Sequence, residues 1–138
     1  MTSLVFRRQI TVEFGHCDPT GAVHVSRFFQ YFDTNTWMLF EAATGVAERD
    51  FTATFGILPL VEVNADCRGP VRFGEVIEIA SRVTEFRRSS FHVEHRITAG
   101  GELAVEGGET RVWAVRHKDD PSKISAQSIP EAVIARFA

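Results

Sequence analysis

Between residues 27 and 44 apolar side chains recur at helical spacing. Phe28, Phe29, Phe32, Thr36, Leu39, Phe40 and Ala43 fall on one broad stripe. Ser26 stands where a capping hydroxyl belongs, and Gly45 where a helix stops. The run predicts a helix of about 18 residues, about 27 Å long at helical rise. Elsewhere the period is two. Residues 4–14 end in alternation, with Ile10, Val12 and Phe14 on one face and Gln9, Thr11 and Glu13 on the other. Residues 57–67 read as a strand with Pro59 at its beginning or edge. Residues 75–86 place Ile77, Ile79 and Val83 inward, and 91–98 place Phe91, Val93 and Ile97 inward. Residues 102–116 form the last long strand, with Gly107-Gly108 as a bulge. Gly69-Pro70 marks a break, residues 87–90 a tight connection and Gly100-Gly101 a hairpin. Residues 46–55 read as a short helix or ordered loop, 117–128 as a polar loop, and 130–137 as a final helical turn opened by Pro130.

The order is thus strand, long helix, then four strands joined mostly by short turns, which argues for an antiparallel sheet. One apolar helix stripe and one apolar sheet face must bury each other. The expected class is α+β: a curved, five-stranded antiparallel sheet around one long helix, in a single domain over residues 1–138.

Composition changes this picture little. With 44% hydrophobic and 24% charged residues the chain reads as an ordinary soluble domain. Twelve Phe against one Tyr suggest a Phe-lined core with an apolar pocket as a further use. A formal charge of −3 argues against a general nucleic-acid binder. No apolar run has bilayer length and no signal-peptide pattern opens the chain, so a cytoplasmic protein without membrane contact is expected. Cys17 and Cys67 show no metal or redox spacing and are expected as free thiols.

The candidate chemistry lies in two stretches. In Phe14-Gly15-His16-Cys17-Asp18-Pro19-Thr20-Gly21, Pro19 restrains Asp18, and Gly15 and Gly21 permit tight turns. Asp18 lies too far ahead of Ser26 to cap the helix, which leaves a solvated loop carboxylate or a catalytic one. Cys17 reads as packing, and His24 as pocket wall, surface residue or proton carrier. The second stretch, Arg87-Arg88-Ser89-Ser90, is a solvated hairpin or a phosphate-binding turn. His92 and His95 are an odd number of residues apart on a strand, so they point to opposite faces, and no metal site is expected.

The first stretch, followed by a small-apolar pair and an aromatic helix, resembles the active-site segment of the 4-hydroxybenzoyl-CoA thioesterase family. Glu85-Phe86-Arg87-Arg88-Ser89-Ser90-Phe91 resembles a second segment of that family, and the likeness spans roughly residues 5–117. The resemblance implies the hotdog fold and hydrolysis of an acyl-CoA thioester to free acid and CoA, without metal or cofactor. It implies that Asp18 is nucleophile or general base, and that helix-start N–H groups around Val23 to Ser26, Val25 among them, polarise the carbonyl. Gly21, His24, Asp33, Leu58 and Asn64 would contact substrate, with Arg72 and Glu75 nearby. Arg87, Arg88, Ser89 and Ser90 would hold the CoA nucleotide. An aromatic acyl group is the first expectation, and a homotetramer built from dimers, with sites between subunits, is implied. His24-Val25 and Leu58 depart from the pattern of aryl-CoA members, which keeps short or medium aliphatic acyl groups in view. The alternatives are a non-catalytic acyl-CoA binding module and a hotdog dehydratase acting on 3-hydroxyacyl thioesters. The latter is disfavoured because no His lies in residues 27–44.

Overall fold

The computed structural model describes residues 2–138. Strand β1 (Phe6–Thr11) leads through a 3₁₀ turn (Phe14–His16) to helix α1 (Val25–Thr44), and a short helix α2 (Glu48–Thr54) follows. Four long strands come next: β2 (Leu60–Cys67), β3 (Val76–Phe86), β4 (Ser90–Ala99) and β5 (Glu102–Val112). The chain closes with a small β6 (Ala114–Arg116), β7 (Ile124–Ala126) hairpin and α3 (Glu131–Ile134). The main sheet has the order β1-β3-β4-β5-β2, and every neighbour is antiparallel.

Helix α1 packs its stripe on the concave sheet face. Phe28, Phe32, Thr36, Leu39, Phe40 and Ala43 are buried as the periodicity predicts, Phe29 is half-buried, and Tyr31 and Asn35 are buried as well. Gly45, at φ 74°, ends the helix, its N–H bonded to the Glu41 carbonyl. The segment left open between helix and loop forms α2 because Phe51 anchors it in the core.

Four local expectations are corrected. The first strand ends at Thr11, and Phe14 turns outward into the 3₁₀ turn with 76% exposure. Its inward place had rested on alternation that the turn interrupts. Helix α1 begins at Val25, so Ser26 lies in its first turn. His24 is the N-cap, without a side-chain capping bond. The last strand divides at Trp113, whose N–H bonds to the Ser89 carbonyl, and β6 leaves the sheet to pair with β7 inside the stretch read as loop.

Gly107-Gly108 is not a bulge, since both residues pair in register with β2 and β4. The reason for Gly107 is close approach. A Cβ there would lie 2.3 Å from the Asn64 carbonyl oxygen and 2.7 Å from the Phe32 ring. The Phe32 ring settles over this gap and stacks on His95 at 4.5 Å between centroids, with 4° between planes.

The core has two apolar halves. One gathers Leu39, Phe40, Phe51, Phe91, Val93 and Phe137; the other gathers Phe28, Phe32, Ile77, Ile79, Ile97 and Val105. A buried polar belt divides them. On β3, Ser81 stands between Ile79 and Val83; on β4, His95 stands between Val93 and Ile97; Glu109 and Arg111 follow Gly107 on β5.

Candidate active site

The Asp18 loop is closed by its own backbone. Asp18 N–H donates to the Ala22 carbonyl at 2.8 Å, and Gly21 N–H donates to the Asp18 carbonyl at 2.9 Å. Gly21 sits at φ 86°, a left-handed conformation that a Cβ would resist. The loop is pinned to the segment ahead of β3, because Phe73 N–H donates to the Gly21 carbonyl and Val23 N–H to the Val71 carbonyl.

The carboxylate of Asp18 is used asymmetrically. Its Oδ1 accepts from the Thr20 hydroxyl at 2.5 Å, the Thr20 N–H at 2.8 Å and the Ala22 N–H at 3.3 Å. Among the described residues nothing donates to Oδ2. The Thr20 hydroxyl bond, helped by the two backbone N–H groups and His24, holds the carboxyl below its ordinary range against a smaller opposing effect of desolvation. Asp18 is therefore ionised at neutral pH, with one oxygen anchored and the other free.

Helix α1 begins a few residues later. Of the expected helix-start donors, Val23 N–H and His24 N–H are occupied by the Val71 and His16 carbonyls. Val25 N–H and Ser26 N–H have no acceptor among the described residues, and they stand at the positive end of a 20-residue helix. A free carboxylate oxygen thus shares one end of the molecule with two free backbone donors, the pair of features that acyl transfer needs. Around them lie the exposed apolar side chains Phe14, Val25, Phe73 and Val76, with Phe14 set edge-to-face on Phe73 at 5.5 Å.

The other expected site residues scatter. His24 is exposed beside Asp18. His16 is engaged elsewhere, with Tyr31 at 2.9 Å and Glu13 at 3.3 Å. Cys17 packs against the apolar core, its thiol 3.6 Å from the Glu13 carbonyl. Leu58 is 2% exposed within the core, so its side chain is a core residue and not a pocket wall in this chain. Asn64 lies on edge strand β2 opposite Gly108, on the sheet face turned away from α1. Asp33 is half-exposed on α1 and bonded to Arg111 at 2.5 Å.

Arg87, Arg88, Ser89 and Ser90 form the turn between β3 and β4. Arg87 pairs with Glu85 at 3.1 Å, and the Arg88 and Ser89 carbonyls accept the N–H groups of Ile129 and Trp113. This turn follows the end of β3, whereas the Asp18 loop is tied ahead of its beginning. An 11-residue strand separates them, roughly 30 Å or more at strand rise. One chain does not bring the two stretches together.

The polar belt was missed in sequence. Glu109 accepts from Arg111 Nε at 3.2 Å, Arg111 Nη2 at 2.8 Å and the Thr36 hydroxyl, and lies 3.0 Å from His95 Nε2. Asn35 donates to Ser81 at 2.5 Å, which leaves the Ser81 hydroxyl proton for His95 Nδ1 at 2.6 Å. His95 is then the neutral tautomer with its proton on Nε2, facing Glu109. Burial pushes the His95 pKa down, the hydrogen bond to Glu109 opposing it. Burial also pushes Glu109 up, but hydrogen bonds from His95 and Arg111 outweigh it and leave Glu109 at about 2. The signal available in sequence was parity: Ser81, His95, Glu109 and Arg111 all occupy inward positions of their strands.

A curved antiparallel sheet around one long helix, with a carboxylate loop at the helix start, is the hotdog arrangement. The thioesterase-like superfamily model matches residues 12–137 of this chain. The 4-hydroxybenzoyl-CoA thioesterase of Pseudomonas sp. (strain CBS-3) is 30% identical over 129 residues, which are 88% of this chain and 89% of that protein. The crystal structure of 4-hydroxybenzoyl-CoA thioesterase from that strain superposes with a TM-score of 0.85 at 25% identity, covering 97% of this chain and 99% of the other. A gentisyl-coenzyme A thioesterase structure shares the fold, with a TM-score of 0.81 at 24% identity over 98% of this chain and all of its own. The chain belongs to the 4-hydroxybenzoyl-CoA thioesterase family of hotdog-fold proteins.

Proposed function

We propose that the protein hydrolyses acyl-CoA thioesters to a free acid and CoA, with an aromatic acyl group as first substrate class and Asp18 as the reacting carboxylate. The observation that carries this is the free Oδ2 of an ionised Asp18 beside the free N–H groups of Val25 and Ser26. The thioester carbonyl oxygen would sit on those donors, where negative charge develops as the carbon is attacked. Attack by Oδ2 forms an acyl–oxygen bond, breaks the C–S bond and releases the CoA thiolate, and water then opens the mixed anhydride. The second route has Oδ2 take a proton from water, which attacks directly. A lowered pKa weakens Oδ2 both as a base and as a nucleophile, so the anchored geometry serves either route. The name of the 30%-identical relative supports an aromatic acyl group.

The distance between Asp18 and the 87–90 turn supports a site shared by two subunits. Strand β2 is an edge of the sheet, with Leu60 and Val61 exposed at its beginning. Its beginning shares a sheet end with the 87–90 turn, since Ser90 pairs with Val112 and Val112 N–H bonds to Pro59. Two-fold antiparallel pairing of β2 with a second copy would set the residue-60 end of one chain against the residue-67 end of the other. The turn of one subunit would then approach the Asp18 end of its neighbour. We read the assembly as such a dimer, doubled into a tetramer. The two free cysteines fit a reducing, cytoplasmic setting. Among the described residues no helix is long and apolar enough to cross a membrane.

Thiol release from a panel of aryl-CoA and short and medium aliphatic acyl-CoA substrates tests the reading. The expected result is turnover, fastest with an aryl-CoA, that Asp18→Ala abolishes. Binding of the panel without turnover would instead establish a binding module, and hydration of an enoyl-CoA a dehydratase.

A further inference from the structure

Helix α1 buries one hydroxyl that takes no part in the chemistry above. The chain has twelve Phe and one Tyr. That residue is Tyr31, 6% exposed, on the buried side of α1 between Phe28 and Phe32. Phenylalanine would bury the same ring with no hydroxyl to satisfy, so the hydroxyl points to a use.

The partner of Tyr31 shows what that use is. Tyr31 OH lies 2.9 Å from His16 Nδ1, and His16 Nε2 lies 3.3 Å from Glu13 Oε2. A carboxylate only accepts, so the neutral imidazole carries its proton on Nε2, and Nδ1 accepts from the phenol. Burial, the largest effect on Tyr31, raises its pKa, so the phenol keeps the proton it donates. The three groups form a directed chain from the helix through His16 to Glu13.

The backbone of His16 is committed as well. Its N–H donates to the Glu13 carbonyl at 3.0 Å, and its carbonyl accepts from His24 N–H at 3.0 Å. His24 immediately precedes the free N–H of Val25. Asp18 follows His16 by two positions, and Cys17 between them is bridged to Val23. The loop's ties outside itself run from Gly21 and Val23 to Phe73 and Val71, and so to the sheet. Among the described residues the His16–Tyr31 bond is the one side-chain hydrogen bond between residues 12–24 and α1. Asp18 is thus tied to the sheet, the Val25 and Ser26 donors belong to the helix, and His16 registers one against the other.

We infer that His16 is a positioning residue for the reaction: clamped between Tyr31 and Glu13, it fixes the Asp18 loop on α1 and so sets Oδ2 against the Val25 and Ser26 N–H groups. This rests on the thioesterase reading above and holds for either use of Oδ2. A misplacement of about 1 Å between reacting groups lowers the rate about 10²-fold. The clamp touches neither the acyl group nor CoA, so its loss appears in kcat and leaves KM almost unchanged.

The test compares wild type, Tyr31→Phe, His16→Ala, His16→Asn and the two double variants, on the fastest acyl-CoA of the panel. Asparagine is the conservative variant, because its Oδ1 stands as many bonds from the backbone as Nδ1 and accepts from the phenol. Tyr31→Phe and His16→Ala should each lower kcat about 10–100-fold with KM within about two- to three-fold. The Tyr31→Phe/His16→Ala variant should lose no more than either single one, because both remove one contact. His16→Asn should recover most of the lost kcat, and that recovery should vanish when Tyr31 is also Phe. A merely structural His16 would let Asn rescue equally well without the phenol, or would make kcat follow the melting temperature across the series, and either result overturns the inference. If the His16 variants fail to fold, Tyr31→Phe still decides, since it removes one oxygen and opens no cavity: an unchanged kcat overturns the inference. Wild-type hydrolysis that depends on Asp18 but is indifferent to Tyr31 sinks this inference alone. No acyl-CoA hydrolysis, or hydrolysis that survives Asp18→Ala, sinks the reading beneath it.

Discussion

At the scale of the residue, Asp18 does two jobs with two oxygens. Oδ1 organises the loop through Thr20 and Ala22, and Oδ2 stays free. The two functions can be separated by substitution. Asp18→Asn keeps an oxygen for the loop donors but loses the charge, so kcat should fall roughly 10²–10⁴-fold with a small change in KM. Thr20→Val removes the hydroxyl bond that most strongly keeps the Asp18 pKa low. The acidic limb of its kcat/KM profile should move to higher pH than in wild type, while turnover at neutral pH persists. A steady-state pH profile of both variants checks this. An Asp18→Asn enzyme with near wild-type turnover removes Asp18 from the reaction.

At the scale of the element, α1 and the sheet meet at a distance set by Gly107. Its missing Cβ admits the Phe32 ring and the Asn64 carbonyl, and the latter is backbone that cannot swing aside. Gly107→Ala should therefore cost about 1–3 kcal/mol, the range for overpacking a close-packed core. Gly108→Ala meets the His92 ring at 2.7 Å, a half-buried side chain free to shift, and should cost clearly less. Denaturant midpoints of the two variants measure the difference, and equal costs would show that the helix does not press on Gly107. The same comparison explains why a Gly-Gly pair inside a strand was misread as a bulge. Bulge and close approach both call for glycine, and only the position of Phe32 on another element tells them apart.

At the scale of the molecule, the polar belt links fold stability to pH. His95 is held below its usual pKa of 6.5, so the unfolded chain takes up a proton first and stability drains as pH falls through about 6.5. Glu109 is held at about 2 against an ordinary 4.5, so its contribution is present above 4.5 and is lost as pH falls towards 2. That shift corresponds to about 3 kcal/mol. Melting temperature should be highest above about pH 7, decline gently below 6.5 and steeply below 4.5, and Glu109→Gln should flatten the steep part. A profile unchanged by that substitution would place the acid sensitivity elsewhere. The shared-site assembly makes its own demand. Arg87→Ala with Arg88→Ala should raise KM for an acyl-CoA several-fold but spare a pantetheine thioester that lacks the nucleotide, and dilution below dimer dissociation should abolish activity. Sedimentation equilibrium beside an activity titration reads the second point, and a fully active monomer would refute the shared site.

Periodicity in the chain determined the long helix, its buried stripe, the antiparallel strands and their inward residues, because 3.6- and two-residue repeats are local properties of the backbone. The Asp18 motif likewise announced itself, since Pro19 and Gly21 write its turn into adjacent positions. Tertiary structure alone decided three things. It turned Phe14 outward, because the 3₁₀ turn after β1 breaks the alternation on which its burial was read. It joined Asp33, Arg111, Glu109 and His95 into one network, because partners as much as 78 residues apart are brought together only by strand register and by the helix laid across it. And it set the 87–90 turn a strand's length from Asp18, because antiparallel neighbours place successive connections at opposite ends of a sheet.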